Sequence, residues 1–305
     1  LTNLLELYFK LAGLVCLGFF IGRKLPTSVA TRVGQILFWA GIPVSIVNFL
    51  PKADFSGQIW MAAAIAQLAV FLGAFLAWVG IKWQIWSGKI VPPPATQASL
   101  ILAAMVGNTG YLGYPITLTL VGTHYFAWAL LYDLLGSTLG AYGWGVALAA
   151  HLRSKNPDFK QVLKAIGINP ALWSFAFGLW WRHLTIPTTI QFCLEICAWT
   201  AVILSLLLIG MRLSKLNSWQ SLPQAGIGLA IKMLLVPLVI GSILPLFGLT
   251  GEPARVMVLQ TAMPPAFATL VVAETFELDR DLAVTAVAGG TIALLFTLPL
   301  WLWLF

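Results

Sequence analysis

The chain has 305 residues, of which 60% are apolar and only 9% charged, and its mean hydropathy is +0.91. Soluble domains run near a quarter charged, so this composition excludes an ordinary soluble fold and indicates a membrane protein. The formal net charge of +7 does not indicate nucleic-acid binding, because no basic block with interleaved aromatics stands outside the apolar segments, and basic residues of membrane proteins collect in cytoplasmic loops.

A bilayer-spanning helix needs ~20 apolar residues. Taken in chain order, candidate spans run over residues 3–22, 29–50, 57–82, 95–120 and 124–150. The polar stretch HLRSKNPDFKQVLK follows, and further spans run over 169–183, 188–211, 222–247, 253–275 and 281–305. The first reads as a retained helix and not a signal peptide, since Arg23 and Lys24 follow its apolar run instead of preceding it. The expected fold is an all-α membrane protein of ten transmembrane helices. Residues 1–150 form a first five-helix repeat, 151–168 a cytoplasmic loop, and 169–305 a second repeat.

The charges fix an expected orientation. Connections after the odd-numbered spans hold Arg23, Lys24, Arg32, Lys82, Lys89, Arg153, Lys155, Lys160, Lys164, Arg212, Lys215 and Arg280, against Lys52, Arg182 and Arg255 on the other side. This bias places the central loop in the cytoplasm and both termini outside, in the cell (plasma or inner) membrane. An odd number of spans per half makes the two repeats inverted.

Two spans carry helix-breaking residues in corresponding positions. The fourth holds MVGNTGYLGYPITL (105–118) and the ninth QTAMPPAFATLVV (260–272). Proline removes a backbone donor and glycine permits unusual dihedrals, so residues 107–115 and 261–266 should unwind. Unwound backbone at membrane depth survives only where protein or trapped water satisfies it. Paired interruptions in two inverted halves point to a secondary transporter's binding site. The half-helix N-termini would dock an anion without an arginine. The expected substrate-binding residues are Asn108, Thr109, Gly110, Pro115, Met263, Pro264 and Pro265. Small-residue spacings Gly136/Gly140 and Ala286/Gly290 permit close backbone approach in spans five and ten.

Ionisable residues at depth are costly. Lys232 is expected near the crossing, neutralising half-helix C-termini or meeting a substrate carboxylate, or else as a structural residue satisfied by a carboxylate or carbonyls; Asp133 is its evident partner, as a static pair or a proton carrier. Gln67 is the polar residue of span three that corresponds to Lys232 in span eight. Glu195 is expected in packing or a subunit interface, Glu6 near the outer surface, and Asp279 or Asp281 as the cap of the tenth helix. Cys16, Cys193, Cys197 and the histidines at 124, 151 and 183 form no ligand set, so no metal or cofactor is expected beyond a coupling proton or sodium ion. An enzyme is not indicated: there is no second deep aspartate, no His-Glu-x-x-His, no serine elbow and no P-loop.

At the interrupted spans the chain resembles the auxin efflux carrier family of plant PIN transporters and bacterial carboxylate permeases, as a prokaryotic-type member. NTGYLGYP (108–115) resembles the family's asparagine-to-proline crossover, and the stretch from Gln260 through AMPPAFATLVVAETFELDRDLAVT to TLPL (297–300) resembles its last two helices. The resemblance implies a fold similar to sodium/proton antiporters and bile-acid symporters, with crossing broken helices 4 and 9. It also implies a scaffold of helices 1, 2, 6 and 7, an elevator-like transport domain of helices 3–5 and 8–10, and a homodimer through helices 2 and 7. The implied activity is transport of small organic anions, auxin-like or other carboxylates. The central loop is short, and Thr269 stands where plant members carry a further proline, which bears against auxin itself. The alternatives are a sodium- or proton-coupled symporter of bile-acid-like solutes, or a non-transporting receptor or channel.

Overall fold

The computed structural model describes residues 2–88, 91–153, 167–215 and 221–305, with side chains from residue 12 onward. Most of the expected cytoplasmic loop 151–168, together with Lys89, Lys155, Lys160, Lys164 and the Glu6 side chain, lies outside them. The described residues are helical throughout, apart from short connections and one isolated β-bridge. Among the described residues, five helices are long and apolar enough to cross a bilayer: Thr27–Lys52, Met61–Trp86, Thr188–Leu213, Leu222–Phe247 and Arg280–Leu304. The chain is therefore a multi-pass membrane protein.

In chain order the elements are α1 (Thr2–Lys24), α2 (Thr27–Lys52), α3 (Met61–Trp86), α4 (Pro94–Met105), α5 (Tyr114–Leu120), α6 (126–152), α7 (Pro170–Trp181), α8 (Thr188–Leu213), α9 (Leu222–Phe247), α10 (Gly251–Thr261), α11 (Phe267–Thr275) and α12 (Arg280–Leu304). The third span begins at Met61 and not at residue 57, because Asp54 turns the chain: its carboxylate accepts from the Ser56 amide at 2.8 Å and the Ser56 hydroxyl at 2.7 Å. The stretch 253–275 is two helices separated by irregular chain, whereas within 95–120 only residues 106–108 leave the helix: Thr109–Gly113 is π-helical and leads straight into α5, so the unwinding expected over 107–115 is confined to its first residues.

The helices group into two compact units. The first comprises Leu1–Gly57, Gly110–Leu130 and Asn169–Leu216; the second comprises Gln58–Thr109, Leu131–Ile168 and Asn217–Phe305. The boundary within 95–120 falls between Thr109 and Gly110, so α5 groups with α1, α2, α7 and α8.

In the first unit α1 lies directly on α8. Gly18 faces the Leu207 carbonyl and Gly210 the Val15 carbonyl, and neither leaves room for a Cβ. Without a hydrophobic force between helices in lipid, this backbone approach maximises dispersion contact. Ala30, Leu37, Ala201, Leu208 and Met211 form a buried cluster beside it. Phe126 meets Phe49 and Tyr114 edge-on, at centroid distances of 5.7 and 5.2 Å. Glu195 pairs with Lys52 at 3.2 Å, an exposed bridge that contributes ~0–1 kcal/mol.

In the second unit the small residues read from the sequence sit where helices meet. Ala286 packs with Ala103 and Ala225, a Cβ at Gly136 would lie 2.5 Å from that of Ala66, and one at Gly140 would lie 3.2 Å from a Val70 methyl. Asp279 caps α12: its Oδ1 accepts from the Leu282 amide at 3.0 Å while Oδ2 accepts from Thr96 Oγ1 at 2.8 Å. The cap thereby ties the start of α12 to the start of α4.

Candidate functional site

The site of interest in the second unit begins where α4 stops. Pro93 and Pro94 preset the backbone for its first turn, and its residues from Ala98 to Met105 are all buried. Val106 then turns extended, at φ −112° and ψ 118°. On the other side, α10 ends at Thr261 because Pro264 and Pro265 supply no amide hydrogens, and the chain re-enters helix after Ala266, which is extended at ψ 148°.

The two irregular stretches satisfy each other. Gly107 and Pro265 form an antiparallel bridge. The Asn108 amide donates to the Pro264 carbonyl at 2.7 Å, and the Ala266 amide donates to the Val106 carbonyl at 2.9 Å. This is the accounting that buried backbone requires: groups lost to helix are recovered in a two-residue piece of sheet. Gly290 on α12 makes the approach sterically feasible, since a Cβ there would lie 2.8 Å from both Pro264 Cβ and Pro265 Cδ.

Lys232 reaches this point. Its side chain is 1% exposed, and its Nζ donates to the Thr261 carbonyl, in the last turn of α10, at 2.8 Å. A Cβ at Gly107 would lie 3.1 Å from Lys232 Cε, 3.2 Å from Nζ and 3.3 Å from the Met263 carbonyl oxygen. The missing side chain at 107 is therefore the passage through which the ammonium arrives. The pair expected between Lys232 and Asp133 does not form among the described residues. Asp133 instead accepts from Thr109 Oγ1, which also lies 2.7 Å from Ser137 Oγ. The Thr261 carbonyl in the last turn of α10 gives the ammonium a partner at the negative end of the helix dipole.

The other sequence-predicted residues separate by role. Asn108 is 8% exposed, and its side-chain amide makes no hydrogen bond among the described residues. The Thr109 hydroxyl is committed to Asp133 and Ser137. Met263 is fully buried. Gln67 does not reach the Lys232 hydrogen-bond set; its Nε2 donates to the Leu135 carbonyl and its Oε1 accepts from Trp144 Nε1 at 3.1 Å. Leu135 lies in the π-helical stretch Asp133–Thr138, where one wide turn displaces carbonyls from the helical ladder. Gln67 repairs that displacement.

Gly110 and Pro115 belong to the first unit. There they line a small cleft of about 20 Å³ together with Ser45, Tyr111, Tyr114 and Ser205. The Tyr111 hydroxyl donates to the Gly34 carbonyl at 3.3 Å, and the Arg212 guanidinium carbon lies 5.9 Å from the Tyr111 ring centroid. A Cβ at Gly34 would lie 2.5 Å from Arg212 Nη2. Sequence reasoning counted Arg212 only as a loop cation; the tyrosine within the crossover string was the available signal.

With this geometry in hand, the comparisons decide the class. The profile of the family described as membrane transport protein matches residues 154–302. The chain is 27% identical over 275 residues to an uncharacterized transporter of Methanothermobacter thermautotrophicus, covering 89% of this chain and 88% of the relative. It is 26% identical over 305 residues to an uncharacterized transporter of Methanocaldococcus jannaschii, covering 95% of each. The second half of the chain thus matches the membrane transport protein family, and both relatives are transporters by name. The resemblance to auxin efflux carriers read from residues 108–115 and 260–300 is thereby borne out.

Proposed function

We propose that this chain is a secondary transporter of small organic anions, built as ten spans in two inverted repeats, with its substrate site at the crossover of α4 with α10 and α11. The carrying observation is that two irregular segments from opposite halves of the sequence meet, pair their backbones, and do so beside a buried ammonium. Such a point has fixed partial charges and no covering helix turn, which is what an ionic solute needs at bilayer depth. Asn108 supplies the neutral donor and acceptor that orient the solute. Met263, Pro264 and Pro265 supply the apolar wall. Thr109 acts one step back, by holding Asp133.

The division of the chain into two compact units supports an elevator-type cycle in which the second unit carries the site. A homodimer through the second and seventh spans (α2 and α8), a cytoplasmic central loop and external termini complete the proposed arrangement. The test is flux. Protein reconstituted in vesicles should take up members of a panel of monocarboxylates and dicarboxylates saturably and with counter-transport. Asn108→Ala should abolish that uptake while the melting temperature stays within the equivalent of ~0.5 kcal/mol of the parent, as expected for loss of an unbonded side chain. No flux of any panel member would refute the anion reading; flux without saturation or counter-transport would indicate a channel.

A further inference from the structure

The two faces of α3 differ sharply. Gly73, Ala77 and Ile81 are buried, with Gly73 against the Ala104 carbonyl of α4. Phe71, Phe75, Trp78, Lys82 and Trp86 recur at three- and four-residue spacing on the opposite face and are exposed. The Phe75 and Trp78 rings stack at 6.3 Å between centroids, and the Lys82 ammonium lies 5.8 Å from the Trp78 centroid. Trp78, Val79, Lys82, Trp83 and Trp86 line an open groove of about 440 Å³. Its lining side chains bring one ammonium and three indole N–H donors, and no acceptor. Among the described residues none of the four donors has a hydrogen-bond acceptor or a carboxylate as partner. Trp83 and Trp86 are 67% and 88% exposed, so no neighbouring helix among the described residues covers the groove.

We infer that this groove binds an anionic phospholipid, with the phosphate at Lys82 and one acyl chain laid along Trp78, Phe75 and Phe71. The length fits one leaflet. Lys82 stands eleven residues beyond Phe71, ~16 Å along a helix, against ~15 Å for half the hydrocarbon core. The charge fits as well. An ammonium that no carboxylate neutralises attracts the phosphate, and the indole N–H groups can donate to its oxygens. The Trp78 ring restrains the long lysine side chain at the groove by cation–π attraction. A zwitterionic headgroup carries its own ammonium and cancels much of this attraction. Aromatic residues alone mark an interface without choosing between headgroups; here the acceptor-free donor set around one cation makes the choice. A lipid suits the face better than a protein partner, because donors and apolar stripe lie end to end along the helix axis, as headgroup and chain do in a lipid.

The test is native mass spectrometry of the purified protein released from detergent, with phosphatidylglycerol and phosphatidylcholine of identical acyl chains added in equal amounts. The parent protein should bind phosphatidylglycerol in preference, by about fivefold, the effect of one lysine beside an anionic headgroup. Lys82→Gln should bring the two lipids close to parity. Lys24→Gln, the same change of charge on α1, should leave the preference intact. Trp78→Leu keeps the apolar stripe, removes the ring beneath the ammonium, and should lower the preference about twofold. All three positions are exposed, so the variants should fold. A parent protein that takes both lipids equally overturns the inference, as does a Lys82→Gln protein that keeps the preference. A Lys24→Gln protein that loses as much as Lys82→Gln also overturns it, since net charge would then suffice. Displacement of the lipid by inorganic phosphate would identify a soluble anion as the ligand, and a change of oligomeric state in Lys82→Gln would identify a second copy of the chain as the cover; either result overturns the lipid assignment.

Discussion

Replacing Gly290 with alanine perturbs the crossover without touching any polar group. The new Cβ would lie 2.8 Å from Pro264 Cβ, 2.8 Å from Pro265 Cδ and 2.9 Å from Leu229 Cδ2. Carbon atoms rest at ~3.5–4.0 Å, so each contact must open by about 0.7–1.2 Å. Leu229 can rotate its terminal methyl away. The prolines cannot, because their rings are closed onto a backbone already pinned by the bonds from Asn108 to Pro264 and from Ala266 to Val106. Overpacking of this kind costs ~1–3 kcal/mol, while alanine recovers ~1 kcal/mol of helix propensity over glycine. The net loss of stability is then ~0–2 kcal/mol, from those two opposing effects. Function has no such offset, since a shift of ~1 Å in a positioned site can cost ~10²-fold in rate. The expected signature is a melting temperature lowered only slightly, with vesicle flux lowered by one to two orders of magnitude (~10–10²-fold). Gly226→Ala on α9 is the control: nothing lies within 4 Å of its Cβ position, so it should gain the propensity and leave flux alone. If Gly290→Ala matches Gly226→Ala in both stability and flux, the prolines yield freely and the crossover is not a positioned site.

Thr109→Val keeps the shape of the side chain and removes a donor to the Asp133 carboxylate; chemical or thermal unfolding should show a loss of ~1–3 kcal/mol, with wild-type stability refuting the assigned network. Trp144→Phe removes the indole hydrogen that Gln67 accepts at 3.1 Å, and should cost ~0.5–1.5 kcal/mol with flux unchanged; a flux defect as large as that of Asn108→Ala would return Gln67 to the site. In the loop after α2, the Ser56 amide and hydroxyl hold the Asp54 carboxyl below its usual 3.8, with smaller help from desolvation-opposed attraction to His124 and Arg182. A depressed carboxyl stabilises above its unfolded pKa and loses that contribution as pH falls through the folded one, so the melting difference between parent and Asp54→Asn should be flat from about pH 6 to 8 and shrink only below about pH 4. A difference that already changes above about pH 5 would refute the assignment to the Asp54 carboxyl.

Much of the fold was legible because hydropathy and helix breakers act locally. A run of apolar residues must become helix in lipid whatever surrounds it, and Pro264-Pro265 stop α10 by their own chemistry. Gly107 was legible as a break for the same reason, and Gly290 as a point of close approach. The partners were not legible, because they depend on which carbonyls the breaks expose. Charge alone matched Lys232 with Asp133; the structure gives the lysine a carbonyl and the aspartate a hydroxyl. Gln67 was misjudged in the same way. A polar residue in an apolar span signals a need for hydrogen bonding, and nothing in its spacing distinguishes a ligand's need from that of the wide turn around Leu135.

That distinction also separates the buried Lys232 from the partly buried Arg212. Arg212 stands over an aromatic ring and against the Gly34 backbone near the end of α8, where a long planar cation can cover apolar surface. Lys232 has no ring and no surface, only the end of a helix. A compact ammonium suits that position because carbonyl oxygens around a helix C-terminus form a small negative point and not a plane, and a guanidinium fork would need room that the Cβ-free approach at Gly107 does not give. Lys232→Arg preserves the charge but not the shape. If shape and charge together make the crossover, this variant must melt lower than the parent and lose flux, because it crowds the point where α4 and α10 meet; if charge alone matters, it must match the parent protein in both.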